Sequence, residues 1–326
     1  MKEIGSEYWD IPLTDKRNNV FPKETKWFIS GRSALRAIIN ENNFKTVAVP
    51  FWCCESIVIP FIDAGIEVSF YRDRLPNTDA AIIMDFFGYV DQLDYSYYQG
   101  IKIRDLTHSI FSKRYEDADY YFGSLRKWAG FWTGGFAWGL KKENIYPNPP
   151  SEYIELRQLA MEQKRHYIMN SNGQNDKSFL DTFNKAEEWL DNSKDIYAAD
   201  ARDIDLAHYL DIGFIKNKRR NNAKILLEAL GDISIFPEIK GNECPMFVPI
   251  RITTRDSLRK YLVQNMVYCP VHWPISEKHI LMEEEKIIYD EELSLVCDQR
   301  YDKEDMYHMV ELIQDFLEKG CDRLKC

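Results

Sequence analysis

One lysine, Lys127, stands between an apolar run that ends at Phe122-Gly123-Ser124 and a glycine turn at Gly134-Gly135, with Trp128 and Trp132 beside it. A partly desolvated lysine near another cation has a lowered pKa, which Schiff-base chemistry requires. An acid and an imidazole lie just past another short run, in Arg104-Asp105-Leu106-Thr107-His108. A carboxylate at a strand end can pair with a protonated ring nitrogen, and a nearby imidazole can hold that carboxylate or a ring hydroxyl. Ser30-Gly31-Arg32-Ser33-Ala34-Leu35 sets hydroxyls, a glycine and free amides at a helix start, an anion site of the kind phosphates use. Val49-Pro50-Phe51-Trp52-Cys53-Cys54-Glu55-Ser56 ends a strand with aromatics that could cover a flat ring. Each segment also has an ordinary structural role open to it: Ser30 as an N-cap, Asp105 as a satisfied acid, Lys127 as a surface cation, Phe51 and Trp52 as core. Together they are the parts of a site for an anionic aromatic cofactor.

The elements that must position these groups alternate in the first half of the chain. Short apolar runs at 46–50, 67–71, 80–86, 102–106, 120–124 and 136–140 are separated by helical periods at 33–42 and 54–64. That alternation predicts βαβ units and a mostly parallel sheet. Ala80 to Phe86 is apolar without interruption up to Asp85, the pattern of a strand buried on both faces. After Pro147, Pro149 and Pro150 the texture turns polar-helical, over 152–167, 180–191 and 218–230, with a loop at 171–175. Short strands return at 247–252 and 267–269, and a last helix is expected over 303–319.

Composition limits the class of function. Of 326 residues, 52 are Asp or Glu and 42 are Lys or Arg, a formal charge of -10, which argues against a phosphate-backbone binder. Aromatic residues reach 14%, which excludes a disordered chain. No stretch approaches the roughly 20 apolar residues that span a bilayer, and Met1 to Pro12 has no apolar run that would make a signal peptide. The seven cysteines lack disulfide-framework or C-x-x-C spacing, so reduced thiols, no metal and a cytoplasmic location are expected, with Cys53 and Cys54 as small buried thiols. Phosphate-loop, zinc-protease, nucleophile-elbow and dinucleotide-fold motifs are absent from the sequence.

The order of the segments is informative: a phosphate-type helix start, a ring-covering strand end, an acid, then a lysine before glycines. It is the order of pyridoxal-phosphate enzymes of the aspartate aminotransferase fold, fold type I. More narrowly, the sequence resembles the DegT/DnrJ/EryC1/StrS family of sugar aminotransferases. Ser30 to Leu35 stands where that family has S-G-T-A-A-L, and Val47 to Gly65 where it has a V-x-V-P strand and a helix ending in A-G. Asp85-Phe86-Phe87-Gly88 is similar to its H-L-F/Y-G turn, Arg104 to His108 to its E-D-A-A-Q/H, and Gly123 to Gly135 to its lysine loop. Arg219-Arg220-Asn221-Asn222 is similar to its R-x-x-N, and Val271-His272-Trp273-Pro274 to its H-x-P.

The resemblance implies a three-layer α/β/α large domain with a mostly parallel seven-stranded sheet and a smaller α+β C-terminal domain. The division is expected as 1–215, including a helical bridge at 151–215, and 216–326. It implies a transaminase carrying an amino group from an amino acid, glutamate foremost, to a keto-sugar or nucleotide-linked keto-sugar. A catalytically idle relative that binds a ligand or partner as a regulator is the alternative. Lys127 would be the Schiff-base lysine and proton carrier, Asp105 the partner of the ring nitrogen, and His108 a neighbour of the ring oxygen or a support for Asp105. Gly31, Arg32 and Ser33 would hold the phosphate, with Ser124 adding a hydroxyl, and Cys54 or Trp52 would lie against the ring. His272 either faces the substrate or is a buried, hydrogen-bonded residue. Arg300 either reaches a substrate carboxylate or is salt-bridged, and Arg219 and Arg220 are expected as a solvated helix start. Family members are homodimers with shared active sites, and Asn170 to Asn175 is the candidate for the segment that reaches a partner's phosphate. Arg32 for the family's threonine, Cys54 for its aromatic and Asp85 for its histidine are departures that bear on the substrate.

Overall fold

The computed structural model describes residues 3–91, 93–112, 117–169 and 177–323, the last four of these as helix backbone only. In chain order, β1 (Ile4–Gly5) and β2 (Lys26–Phe28) precede α1 (Gly31–Glu41). Then come β3 (Thr46–Pro50), α2 (Glu55–Asp63), β4 (Glu67–Tyr71), β5 (Ala80–Met84), β6 (Ile101–Asp105), β7 (Tyr120–Ser124) and β8 (Gly135–Trp138). A single 3-10 turn, Leu125–Lys127, follows β7. The second half holds α3 (Ser151–Met169), α4 (Ser178–Asn192), α5 (Ala201–His208), α6 (Ile212–Leu230), β9 (Phe247–Arg251), α7 (Arg255–Gln264), β10 (Val267–Tyr268), α8 (Glu283–Glu291), β11 (Glu292–Val296) and α9 (Lys303–Arg323).

Seven strands form one sheet in the order β2-β8-β7-β6-β5-β3-β4. Neighbours run parallel from β4 to β7, and β8 is antiparallel to both β7 and β2. The period of two decides which side chain meets which layer. Val47, Val49, Ile82, Met84 and Ile103 pack with Leu35, Ile38, Val58 and Phe61 of α1 and α2 on one face. Ala48, Ala81 and Ile83 face the opposite way, onto Tyr71, Leu75, Tyr95 and Tyr98. Farther along that face, Tyr121 and Phe136 meet Trp128, Ala207 of α5 and Ile215 of α6. This is the α/β fold with a mostly parallel sheet that the pattern predicts, and its seven strands match the count that the resemblance implies. Strand β2, too short for any periodicity to register, escapes the sequence reading.

A smaller layer is built on the antiparallel pair β9–β11, with register Leu293 opposite Ile250. It packs against α6, α7 and α9 through Leu226, Leu258, Leu295 and Ile313. Two features cross the expected division at 215/216. Helix α6 runs through it, with Ile215 in the core beside the large sheet and Leu226 in the small one. Residues 4–5, expected with the large domain, pair in parallel with Val267–Tyr268 of β10, and Ile4 is buried in the small core. No helix among the described residues is long and apolar enough to cross a membrane.

Candidate active site

The carboxyl ends of the parallel strands open on a cavity of about 610 Å³, where open α/β sheets hold ligands. Asp105 ends β6 and Ser124 ends the adjacent β7, with Lys127 at the end of the following 3-10 turn. The start of α1 joins them through close backbone approach. A Cβ at Gly135 would stand 2.1 Å from the Ser30 carbonyl oxygen, and one at Gly31 would stand 3.3 Å from that of Gly123. Glycine at 135 therefore lets β8 and the helix start share one space. Ser30 is the N-cap, its Oγ accepting the Ser33 N–H at 3.2 Å. The α1 amides and the dipole that they sum to point from here at the cavity.

Asp105, Ser124, Lys127 and His108 all line this space. Asp105 is buried, its Oδ1 accepting the Thr107 N–H at 2.7 Å. Burial pushes its carboxyl up, against the Thr107 hydrogen bonds and with help from Asp85, to about 6. His108 Nδ1 accepts the Phe87 N–H at 3.3 Å, which leaves the hydrogen of a neutral ring on Nε2. Burial and then the Lys127 charge lower His108 to about 3, so the imidazole stays neutral. Lys127 itself is exposed in the cavity rather than desolvated, and no ion pair engages it among the described residues.

Cations crowd the α1 end. Arg126 of the 3-10 turn and Arg157 of α3 both reach Oε1 of Glu187 on α4, Arg157 Nη1 at 3.3 Å. Arg32 Nη2 binds Asp191 at 2.7 Å and its Nη1 the Leu190 carbonyl at 3.1 Å. Burial alone would raise Glu187, but Arg126, Arg157, Lys127 and Arg32 outweigh it and hold the carboxyl down at about 2. The Nε atoms of Arg32, Arg126 and Arg157 are buried with no hydrogen-bond partner. Four cations around the Glu187 and Asp191 carboxylates leave the wall positive and suited to an anion.

The opposite wall comes from the small layer and the N-terminal segment. Half-buried His272 lines the cavity, with Nδ1 2.8 Å from Ser294 Oγ and its carbonyl bound by Trp52 Nε1 at 2.8 Å. Arg300 also lines it, but Asp298 and the carbonyls of Ser6 and Glu7 occupy its guanidinium, with Tyr8 stacked at 4.1 Å. That is the salt-bridged alternative for Arg300.

Of the residues singled out in the sequence, Gly31, Arg32, Cys54, Asp105, His108, Ser124, Lys127, His272 and Arg300 line one cavity, whereas Ser33 and Trp52 do not. Ser33 is buried in the first turn of α1, and Trp52 is buried against Phe86, with ring centroids 4.9 Å apart. Phe51, expected over the ring, and Trp128 and Trp132, which stand beside Lys127 in the sequence, also fall outside it; the aromatics that line it include Tyr8, Phe122, Phe247, Tyr268 and Trp273. Cys53 is buried as expected, but Cys54 reaches the cavity, its Sγ 2.9 Å from Ser56 Oγ. Arg219 is not at a solvated helix start: it lies inside α6, fully buried. Its guanidinium binds Gln299 Oε1, the Met246 carbonyl and Tyr8 Oη at 2.7–2.9 Å, over the Trp128 ring at 4.6 Å. Arg220 likewise binds the Glu243 carbonyl, and Asn222 Nδ2 holds the carbonyls of Asp298 and Tyr301 at 3.1 Å each. The R-x-x-N spacing thus clamps the 297–301 loop. Asn170 to Asn175 and the side chains of Cys321 and Cys326 lie outside the described residues. Arg157, Glu187, Ser294 and Glu292 carry no local sequence signal and become visible only in three dimensions.

No family model matches the sequence, and no curated protein does either. Solved structures do. A DegT DnrJ EryC1 StrS aminotransferase from Brucella abortus is 15% identical with a TM-score of 0.59, over 90% of this chain and 85% of that one. DesI, solved in the presence of its TDP-sugar product, is 12% identical with a TM-score of 0.66, over 92% and 82%. PseC of Helicobacter pylori, an aminotransferase involved in the biosynthesis of pseudoaminic acid, is 13% identical with a TM-score of 0.63, over 96% and 100%. At these identities the likeness establishes the fold: the chain is built as these sugar aminotransferases are.

Proposed function

We propose that this protein is a pyridoxal-phosphate-dependent aminotransferase that moves an amino group from an amino acid, glutamate foremost, to a keto-sugar or nucleotide-linked keto-sugar. The observation that carries this reading is that Asp105, at the end of β6, and Lys127, in the turn just past the adjacent β7, open on one cavity together with the start of α1. The donor set fits the cofactor: an acid for the ring nitrogen, an exposed amine for the aldehyde, and amides and cations for the phosphate. When bound, the cofactor supplies an electron sink that stabilises negative charge on the substrate carbon.

Around that sink the chain has separable tasks. Asp105 would hold the ring-nitrogen proton, and the positive charge there would in turn favour its ionised form. The α1 amides, Arg32 and Ser124 would take the phosphate. His108 offers Nε2–H to a ring oxygen, since its Nδ1 is already used by Phe87. Lys127 Nζ carries a proton to and from the substrate carbon that exchanges its nitrogen. The sugar acceptor is supported by the TDP-sugar product of DesI and the pathway of PseC. The unpatterned, reduced cysteines support a cytoplasmic location, and the family resemblance supports a homodimer with shared active sites.

The test is spectroscopic and then chemical. Protein incubated with pyridoxal phosphate and desalted is expected to keep the yellow band of the lysine-bound cofactor, and Lys127→Ala to lose it. A panel of amino donors and keto-sugars is expected to show amine transfer by the wild type and a loss of about 10²-fold or more in the variant. Wild-type protein that stays colourless refutes the reading; coloured protein inert towards every pair favours the regulatory relative.

A further inference from the structure

A hydrogen-bonded chain leads out of the cavity into the small layer. His272 Nδ1 lies 2.8 Å from Ser294 Oγ, and Ser294 Oγ lies 2.5 Å from Glu292 Oε1. The other oxygen, Glu292 Oε2, accepts the backbone N–H of His272 at 2.7 Å. Glu292 and Ser294 are alternate residues on β11, so they share a face, and both are fully buried. The Ser294 N–H binds the Pro270 carbonyl at 3.0 Å, which sets this strand beside the segment carrying His272.

Polarity along the chain follows from the donors. When Glu292 is ionised it can only accept, so Ser294 must donate to it and accept in turn from Nδ1–H of His272. Nε2 is then a bare acceptor. An imidazolium at this place is disfavoured: burial, His108 at a ring-centroid distance of 5.9 Å, and Lys127 hold His272 well below its ordinary range. His272 can act as a base only if the charge it gains leaves the ring.

We propose that His272, Ser294 and Glu292 form a proton relay through which His272 accepts a proton from a substrate group in the cavity while its ring stays uncharged. Taking the substrate group as the ammonium of the amino donor rests on the aminotransferase reading; the relay itself does not. The ammonium N–H breaks as Nε2–H forms, Nδ1–H passes to Ser294 Oγ, and the Ser294 hydroxyl proton passes to Glu292 Oε1. The products are a neutral amine, a neutral imidazole in its other tautomer and a neutral carboxylic acid, and nothing is oxidised. His272 is the catalytic member, and Ser294 and Glu292 are positioning residues.

The reservoir is suited to its task. Burial raises Glu292 to about 8, against the Ser294 and His272 hydrogen bonds and the Arg255 charge. Arg255 of α7 faces it, donating to its backbone carbonyl at 3.0 Å, the Cys269 thiol, pushed up to about 12 by burial, is a further titratable neighbour, and Arg251 is its cross-strand partner on β9. Above that range the carboxylate keeps Nε2 bare. Below it the protonated acid donates back through Ser294, and Nε2 carries the hydrogen.

Nitrogen-15 spectra of the imidazoles, recorded on the full chain with and without pyridoxal phosphate, test the relay without any turnover. In the wild type the His272 tautomer is expected to switch as pH crosses about 8, with no imidazolium signal. Glu292→Gln is expected to lock Nε2–H at every pH, because its amide oxygen must accept the His272 N–H and its NH2 must face Ser294. Ser294→Ala abolishes the switch, and Ser294→Thr, which keeps the hydroxyl, retains it. In single-turnover amine transfer by the holoenzyme, the wild-type rate rises through the same pH range. Glu292→Gln and Ser294→Ala are slower by about 10-fold or more and lose that limb. A tautomer that does not change with pH in the wild type overturns the relay, as does a Glu292→Gln rate profile identical to the wild type. Absence of amine transfer under all conditions refutes the aminotransferase reading instead, and the tautomer switch still decides the relay.

Discussion

Arg157 Nη1 stands 3.3 Å from Glu187 Oε1, the same oxygen that Arg126 holds, so one half-buried carboxylate bridges two buried guanidinium groups at the end of the cavity nearest α1 and leaves a net positive charge there. The pairing occupies the most cationic wall of the site with an anion of the chain's own. A ligand phosphate or carboxylate entering there competes with Glu187.

Glu187→Gln removes that anion and leaves Arg126 and Arg157 facing each other. Because the carboxylate is partly solvated, the expected loss is modest, about 1–2 kcal/mol at low salt. Added inorganic phosphate is expected to raise the melting temperature of the variant more than that of the wild type. Equal shifts would remove the case for an anion site. Because the carboxyl is held down at about 2, its contribution is complete above the ordinary carboxylate range and is lost only as pH falls toward that value.

Asp105 has the opposite sign. Its raised value means that the folded chain keeps a proton that the unfolded chain has released, so stability falls as pH rises from the ordinary carboxylate value of 3.8 to about 6. The displacement corresponds to roughly 3 kcal/mol. Asp105→Asn, which can still accept from Thr107, is therefore expected to be more stable than the wild type at pH 7 without cofactor and indistinguishable near pH 4. The same variant should retain pyridoxal phosphate poorly. Urea melts at the two pH values check the first statement and desalting after loading checks the second.

Gly135→Ala would place a methyl group 2.1 Å from the Ser30 carbonyl oxygen. Backbone cannot yield as a side chain can, so β8 and the start of α1 must separate. A loss of about 3 kcal/mol or more is expected, together with weaker cofactor retention. Gly231→Ala, where nothing lies within 4 Å, is the control and should be tolerated.

Arg219 binds three acceptors from α6 while covering the Trp128 ring. Lysine keeps the charge but lacks the planar fork, so Arg219→Lys is expected to cost about 2–3 kcal/mol by leaving buried acceptors unpaired. Arg220, half-buried, should lose less on the same change, and comparing the two unfolding midpoints decides between a clamp and a solvated helix start.

Much of the fold is legible in the sequence because burial imposes periodicity. Strands β3 to β7 each bury both faces or alternate, and α1 and α2 keep an apolar stripe, so a window of a few residues reveals them. Strand β2 has only three residues, and β11 follows α8 without a break, so neither offers a local boundary. The strand-end residues Asp105, Ser124 and Lys127 are readable for a related reason: a strand, a polar residue and a glycine turn lie close together in the chain.

By itself the sequence of this protein determined the α/β architecture and the set of chemical groups at the strand ends, since both rest on interactions within a few residues. The rest of the cavity was decided by the tertiary structure alone. Arg157 and Glu187 come from different helices, and Glu292 and Ser294 come from a strand of the other layer that meets His272 across the chain. It also moved Trp52 out of the cavity and buried Arg219. Those outcomes depend on which faces pack, and packing is settled by contacts distant in sequence that no local pattern records.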